Sequence, residues 1–241
     1  MTSISIVVPI HNEAENIRPL AKEIQAAMHS QPSTWECIWV NDGSTDDSLA
    51  VLRTLSKEDE RHRYLSLSQN YGQSAALWAG FRESRGEIIA TLDGDGQNDP
   101  SDLPALIAMV EEGATDMANG YRAKRHDTFL KRMASRVANQ FRNAIIGKTV
   151  RDVGCSTRAF RRECVEYLTP FRGMHRFLPN LIQIQGYRLS EQPVNHRPRK
   201  HGRSKYTIRN RLWVGLLDTF GVWWLQHRHF RLVIQERSWG D

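Results

Sequence analysis

The chain has 241 residues, enough for one large α/β domain or two small ones with a substantial buried core. Its three cysteines, Cys37, Cys155 and Cys164, form no metal-ligand spacing and leave one unpaired if two were bridged, which excludes a cysteine-built metal site and fits a reducing cytosol. Lys and Arg exceed Asp and Glu by 33 to 27, and the excess is clustered, so anionic partners such as phosphates, acidic lipid or nucleic acid are expected.

Ser3 to Ile10 reads as a buried strand, followed by a helix from Glu13 to Met28. Because the first apolar run ends at Ile10 and an acidic helix-like stretch follows, no signal peptide is expected. Between strand and helix lies Pro9-Ile10-His11-Asn12-Glu13. A dinucleotide-binding chain carries its glycine-rich turn at this point, and the lack of glycine excludes that fingerprint, so side chains must hold any nucleotide. Glu36 to Val40 is a second strand ending in Asn41-Asp42-Gly43-Ser44-Thr45-Asp46-Asp47-Ser48. Ser44 or Thr45 is expected to cap the next helix, with Asp46 and Asp47 near its positive end. Asp42 stands at the strand's C-terminal edge, where open α/β sheets bind ligands; a turn residue is the equal alternative. Arg63 to Ser68 is a third strand, and Gln69 to Gln73 leads into a helix through Ala75, Ala76, Ala79 and Phe81.

The fourth strand, Ile88 to Leu92, is short, apolar and β-prone, and Asp93-Gly94-Asp95-Gly96-Gln97-Asn98-Asp99-Pro100 sits at its end. Residues i and i+2 of an extended chain leave the same face, so Asp93 and Asp95 can aim two carboxylates at one spot. Two hard oxygens suit Mg²⁺ or Mn²⁺, which fill their shell with waters and substrate phosphates. A plain Asp-Gly turn is the competing reading. An EF-hand is excluded, since Gln97, Asn98 and Pro104 occupy its third-ligand, glycine and closing-glutamate positions.

Pro100 and Ser101 open a helix through Val110, and Asp116 to Gly120 is a fifth strand. This alternation predicts a mostly parallel sheet with helices on both faces. Beyond Tyr121 the texture changes. Thr128 to Ile146 has a helical repeat of Phe129, Met133, Val137, Phe141 and Ile145, with Arg122, Lys124, Arg125, Lys131, Arg132, Arg136 and Arg142 in one basic run. Val153 to Phe160 reads as extended, Arg161 to Leu168 and Phe177 to Gly186 as helical, and Arg188 to Arg197 as extended. Residues 192–217 contain no acid and crowd together Arg197, Arg199, Lys200, Arg203, Lys205, Arg209 and Arg211. No repeat or linker is visible; a catalytic domain over residues 1–206 with a C-terminal amphipathic extension over 207–241 is expected.

Six motifs read in order: Pro9-Ile10-His11-Asn12-Glu13, Asn41-Asp42-Gly43-Ser44, Asp93 to Pro100, Asp152-Val153-Gly154-Cys155, Phe160-Arg161-Arg162 and Gly202-Arg203-Ser204-Lys205-Tyr206. In these the chain resembles family 2 glycosyltransferases of the GT-A fold, and among them the polyprenyl-phosphate sugar transferases, the group containing dolichol-phosphate mannosyltransferase. The resemblance spans residues 3–226. It implies inverting transfer of a sugar, as a hexosyltransferase, from a UDP- or GDP-linked donor to undecaprenyl or dolichyl phosphate. By the same resemblance, Pro9, His11, Glu13 and Asp42 hold base and ribose, with His11 standing where the family has Tyr or Phe. Asp93 and Asp95 bind the metal on the diphosphate, and Gln97 lies beside the reacting phosphates. Lys131, Arg132 and Ser135 fall where the family binds the acceptor phosphate, with Arg122 grouped beside them. Arg199 and Lys205 match the basic loop over the donor.

The chemistry can be argued alongside. A divalent ion neutralises charge on the leaving diphosphate. A phosphate monoester, with a second pKa of about 6, arrives largely as a dianion and needs no base, whereas an alcohol acceptor would. Asp152 is therefore read either as a base or as an anchor for the basic helix. Leu212 to Leu225 is apolar apart from Asp218 and Thr219 and too short for a bilayer, which needs about 20 residues. Its tryptophans and flanking Arg and His suit a helix lying in a membrane surface, and packing on the core or in a homo-oligomer is the alternative. The expectation is a cytoplasmic protein, peripheral on the cytoplasmic face of the membrane, with a separate anchoring subunit allowed for. The competing functions are a family 2 transferase acting on a non-lipid hydroxyl and, remotely, a nucleic-acid-binding module. The second lacks aromatic residues interleaved with its basic ones, so no nucleic acid is expected as a partner.

Overall fold

The computed structural model describes residues 3–123, 140–198 and 208–229 of the chain, with side chains from residue 215 onward in the last segment. Seven strands form one sheet in the order β3-β2-β1-β4-β6-β5-β7. They are β1 (Ser3–Ile10), β2 (Thr34–Asn41), β3 (His62–Ser66), β4 (Ile88–Thr91), β5 (Met117–Arg122), β6 (Arg158–Arg161) and β7 (Leu189–Val194). All pairings are parallel except those of β6, which runs against both β4 and β5. The α/β, mostly parallel architecture read from the alternation of elements is therefore the one observed.

Helices α1 (Ala14–Ala27), α2 (Ser48–Glu58) and α4 (Leu103–Glu111) cover one face of the sheet, and α3 (Gln73–Glu83), α5 (Leu178–Ile184) and α6 (Ile208–Arg228) lie on the other. The strands show why two layers are needed. Ile4, Ile6, Val8 and Ile10 of β1 point to the α1 side and Val7 to the α3 side; Cys37 and Trp39 of β2 oppose Ile38 and Val40 in the same manner. A strand apolar on both faces cannot face water on either, so helices close both.

Several expected elements differ. Ser44 and Thr45 do not cap α2, which begins at Ser48 after Asp47. They serve the preceding loop instead: Ser44 Oγ accepts from the Asn12 backbone at 2.9 Å, and the Thr45 backbone donates to Asn12 Oδ1 at 2.7 Å. The extended stretch Val153 to Phe160 condenses to β6, because a turn in which the Cys155 N–H donates to the Asp152 carbonyl precedes it. Arg161 to Leu168 contains only the 3₁₀ turn Arg162–Val165. Of the expected helix Thr128 to Ile146, residues 140–146 are helical and 128–139 lie outside the described residues.

Helix α6 does two things. Thr219 and Val222 are buried and Val222 joins the core, while Leu217, Phe220, Trp223 and Trp224 stay exposed. Within the apolar run Leu212 to Leu225, Phe220 and Trp223 therefore turn outward. No helix among the described residues is long and apolar enough to cross a membrane.

Candidate active site

Strand order reverses direction at β1: β2 and β3 follow on one side and β4 on the other. A crevice opens beyond the strand ends at such a point, and ligands of open α/β sheets bind there. The ends of β1, β2, β4 and β5 bring Pro9, His11, Glu13, Asp42, Asp93, Asp95, Gln97 and Arg122 to this one edge. Lys131, Arg132, Ser135, Arg199 and Lys205 lie outside the described residues.

The acidic loop approaches β1 closely because Gly94 allows it. A Cβ there would stand 2.8 Å from the Pro9 carbonyl and overlap Ile10. Asp93 is half-buried and held at both oxygens. Gln73 Nε2 donates to Oδ1 at 2.7 Å, and Ser156 Oγ donates to Oδ2 at 2.6 Å. Its backbone N–H donates to Asn98 Oδ1 at 3.1 Å, and Asn98 Nδ2 donates to Thr157 Oγ1 at 2.8 Å. Burial, and then the Asp95 charge, push the Asp93 pKa up to about 6, against the opposing pull of the Ser156 hydrogen bond, Arg158 and Arg122. Asp95 Oδ1 accepts from the Gln97 backbone at 3.1 Å. Gln97 is tied to the end of the β7 segment, its carbonyl accepting from the Arg197 N–H at 2.8 Å.

At the end of β2, Asp42 is buried, and its two carboxylate oxygens accept the backbone N–H groups of Tyr71 and Gly72, each at 2.8 Å. It thereby fixes the chain entering α3. Its carbonyl accepts from His11 Nδ1 at 2.8 Å, which sets the ring's tautomer. Glu13 Oε2 accepts from Asn16 Nδ2 at 2.6 Å. Arg122 grips Asp152 through Nε at 2.7 Å and Nη2 at 2.9 Å, so Asp152 anchors the end of β5.

Three residues with evident influence on the site were not singled out from sequence. Gln73 and Ser156 carry no recognisable pattern and lie 20 and 63 residues from Asp93. Arg158 did leave a signal, a charged residue inside a strand. It is only 3% exposed and donates to Asn119 Oδ1, the His175 carbonyl and the Val153 carbonyl at 2.9, 2.9 and 2.6 Å. A full positive charge is thus buried on neutral acceptors near Asp93.

The open α/β sheet with an Asp-x-Asp pair beyond β4 is of the GT-A type. It superposes on glucosyl-3-phosphoglycerate synthase from Mycobacterium tuberculosis, solved with Mn²⁺, UDP-glucose and phosphoglyceric acid, with a TM-score of 0.68, 20% identity, and 91% of this chain and 80% of that one covered. The same protein with Mg²⁺ and UDP gives 0.69 at 20% identity, with the same shares covered. Residues 5–169, more than half of the chain, match the model of glycosyl transferase family 2, and the chain belongs to that family. It is 39% identical over 223 residues to dodecaprenyl-phosphate galacturonate synthase of Rhizobium johnstonii, covering 91% of this chain and 66% of the relative. It is 36% identical over 206 residues to undecaprenyl-phosphate 4-deoxy-4-formamido-L-arabinose transferase of Salmonella dublin, covering 85% of this chain and 63% of the relative. The chain spans about two thirds of the length of these relatives. Their names cite a uronate and a modified pentose, so glycosyl transfer is the class common to them, broader than transfer of a hexose.

Proposed function

We propose that the chain transfers a sugar from a UDP- or GDP-linked donor to a polyprenyl phosphate at a membrane surface, with Asp93 and Asp95 holding Mg²⁺ or Mn²⁺. The observation that carries this reading is a carboxylate pair at the switch point whose first member, among the described residues, accepts its side-chain hydrogen bonds from the neutral donors Gln73 and Ser156. The donor set fits these ions: two hard carboxylates on one loop, and no cluster of three or more His, Cys, Asp or Glu among the described residues that could hold a metal alone. A Mg²⁺ or Mn²⁺ site of this kind is completed by substrate phosphates and water. When bound, the cation neutralises charge on the departing diphosphate.

The chain's own residues do the rest. Pro9, His11, Glu13 and Asp42 line the entry for base and ribose, and Gln97 stands beside the diphosphate. Lys131 and Arg132 supply charge and Ser135 a hydroxyl for the acceptor phosphate, Arg199 and Lys205 belong to the basic loop over the donor, and Arg122, paired with Asp152, edges the site. Asp152, the carboxylate weighed as a base, is committed to Arg122. That favours an acceptor already ionised on arrival over a hydroxyl that needs deprotonation. The relatives' names, which cite dodecaprenyl and undecaprenyl phosphate, support the same acceptor. The sugar is left open between hexose, uronate and modified pentose.

A melting-temperature panel of nucleotide sugars with Mn²⁺ or Mg²⁺ selects the donor, and radiolabelled sugar transfer to undecaprenyl phosphate then tests the reaction. A metal-dependent rise in melting temperature and labelled lipid are expected. Transfer undiminished in Asp93→Ala, or with excess chelator, would overturn the proposal.

A further inference from the structure

Among the described residues, carboxylates gripped by side chains at short distance are mostly gripped by arginine: Asp59 by Arg61, Asp99 by Arg197, Asp116 by Arg188 and Asp152 by Arg122. Asp93 is not. One uncharged donor sits on each of its oxygens, Gln73 Nε2 at 2.7 Å and Ser156 Oγ at 2.6 Å. An arginine fixes a carboxylate and cancels its charge together. A neutral amide and a hydroxyl fix its plane and leave the charge for something else. Both donors are themselves anchored. Gln73 is the first residue of α3, whose lead-in is tied down by Asp42 through Tyr71 and Gly72. The Ser156 carbonyl accepts from Thr91 Oγ1 of β4 at 2.5 Å.

Ser156 has a further property. Its hydroxyl lies within reach of two acceptors, Asp93 Oδ2 at 2.6 Å and Asn98 Oδ1 at 3.0 Å, and it carries one proton. Asn98 Oδ1 already accepts from the Asp93 backbone, so the proton goes to Asp93. It can pass to Asn98 when another partner takes Oδ2, without stranding either group.

We propose that Gln73 and Ser156 are positioning residues that hold the Asp93 carboxylate, through uncharged donors, in the orientation a divalent cation requires. This rests on the metal reading above. Outer partners of a metal-binding carboxylate typically change metal affinity by about 10- to 100-fold when removed, and that is the size of effect expected here.

The test titrates Mn²⁺ into the full chain by electron paramagnetic resonance, alone and with UDP or GDP, for the parent, Gln73→Ala, Ser156→Ala, Ser156→Thr and Asp93→Ala. Gln73→Ala and Ser156→Ala should each weaken Mn²⁺ binding by about 10- to 100-fold, and Ser156→Thr, which keeps the hydroxyl, should bind within a few-fold of the parent. In transfer assays the metal concentration for half-maximal rate should rise, while kcat at saturating Mn²⁺ changes little. Melting temperature with chelator present reports folding; if Ser156→Ala proves unfolded, Ser156→Cys, a weaker donor of similar size, takes its place with the same expectation. Mn²⁺ affinity within twofold of the parent in both substituted chains, with Asp93→Ala abolishing binding, overturns the positioning role alone. Unchanged binding in Asp93→Ala overturns the metal reading and this inference with it.

Discussion

Asp93 sits between two demands: burial and the Asp95 charge favour its protonated form, and a cation favours the ionised one. Its pKa of about 6 lies above the ordinary value of 3.8, so between these values the native chain holds a proton that the unfolded chain has released. The Asp93 contribution to metal-free stability is therefore fully present below 3.8, falls as pH rises towards about 6, and is flat above that. Cation binding runs the other way. Mn²⁺ affinity should drop by about tenfold per pH unit below pH 6 and level off above it, because proton and cation compete for the same oxygens. Titrations between pH 5 and 8 check this, and a flat profile would mean that Asp93 is not a ligand. Arg158 makes a second residue-scale test. A lysine ammonium cannot span acceptors on Asn119, His175 and Val153, so Arg158→Lys should cost about 2–4 kcal/mol in urea unfolding. Asp93 and Asp95 were legible in sequence because i, i+2 spacing after a strand is a local pattern. Gln73 and Ser156 were not, since their roles exist only once α3 and the β6 lead-in are folded against β4.

At the scale of elements, the site exists because parallel strands end at one edge and their loops carry the polar residues. Apolar runs followed by Asn, Asp and Gly marked β1, β2 and β4 from sequence to within a few residues, and the same runs placed Asp42 and Asp93 at strand ends. Signals that depend on a partner loop misled. Ser44 and Thr45 look like helix caps, yet Asn12, at φ 57, reaches across from the β1 loop and engages them first. Val153 to Phe160 read as extended, but the reversed direction of β6 was hidden for a related reason. Its four residues include two that carry charge, and only burial of Arg158 against neutral acceptors lets it lie between β4 and β5. Gly94 tests how tightly the elements are coupled. Its missing side chain is what lets the acidic loop lie on the end of β1, and Gly94→Ala forces a Cβ against the Pro9 carbonyl. The substitution should destabilise by about 1–3 kcal/mol and weaken Mn²⁺–UDP or Mn²⁺–GDP binding disproportionately. Chemical denaturation and a binding isotherm measured on the same sample separate the two effects.

For the whole molecule, what is left to explain is how the sheet would meet the lipid acceptor proposed for it. Leu217, Phe220, Trp223 and Trp224 are 71%, 53%, 42% and 57% exposed on the outer side of α6, while Thr219 and Val222 on its inner side are buried. Phe141 stacks edge-on against Phe220 at 6.3 Å and widens the apolar surface. His227, Arg228 and His229 follow at the helix end, exposed. An apolar face rimmed by tryptophan and basic groups is suited to lying among lipid headgroups, where the aromatic rings bury hydrocarbon and the cations meet anionic lipid. The inner face keeps the helix on the domain, so the outer face can be altered without unfolding it. Leu217→Glu, Phe220→Glu and Trp224→Glu combined should abolish flotation with phosphatidylglycerol vesicles and leave melting temperature and Mn²⁺ binding near those of the parent. Raising the salt should weaken binding of the parent without abolishing it, since screening removes the charge attraction and leaves the apolar contribution. If the substituted chain floats as well as the parent, this face is not the membrane contact. If the parent instead sediments as a dimer that the substitutions dissociate, and neither protein floats, the stripe is a subunit interface.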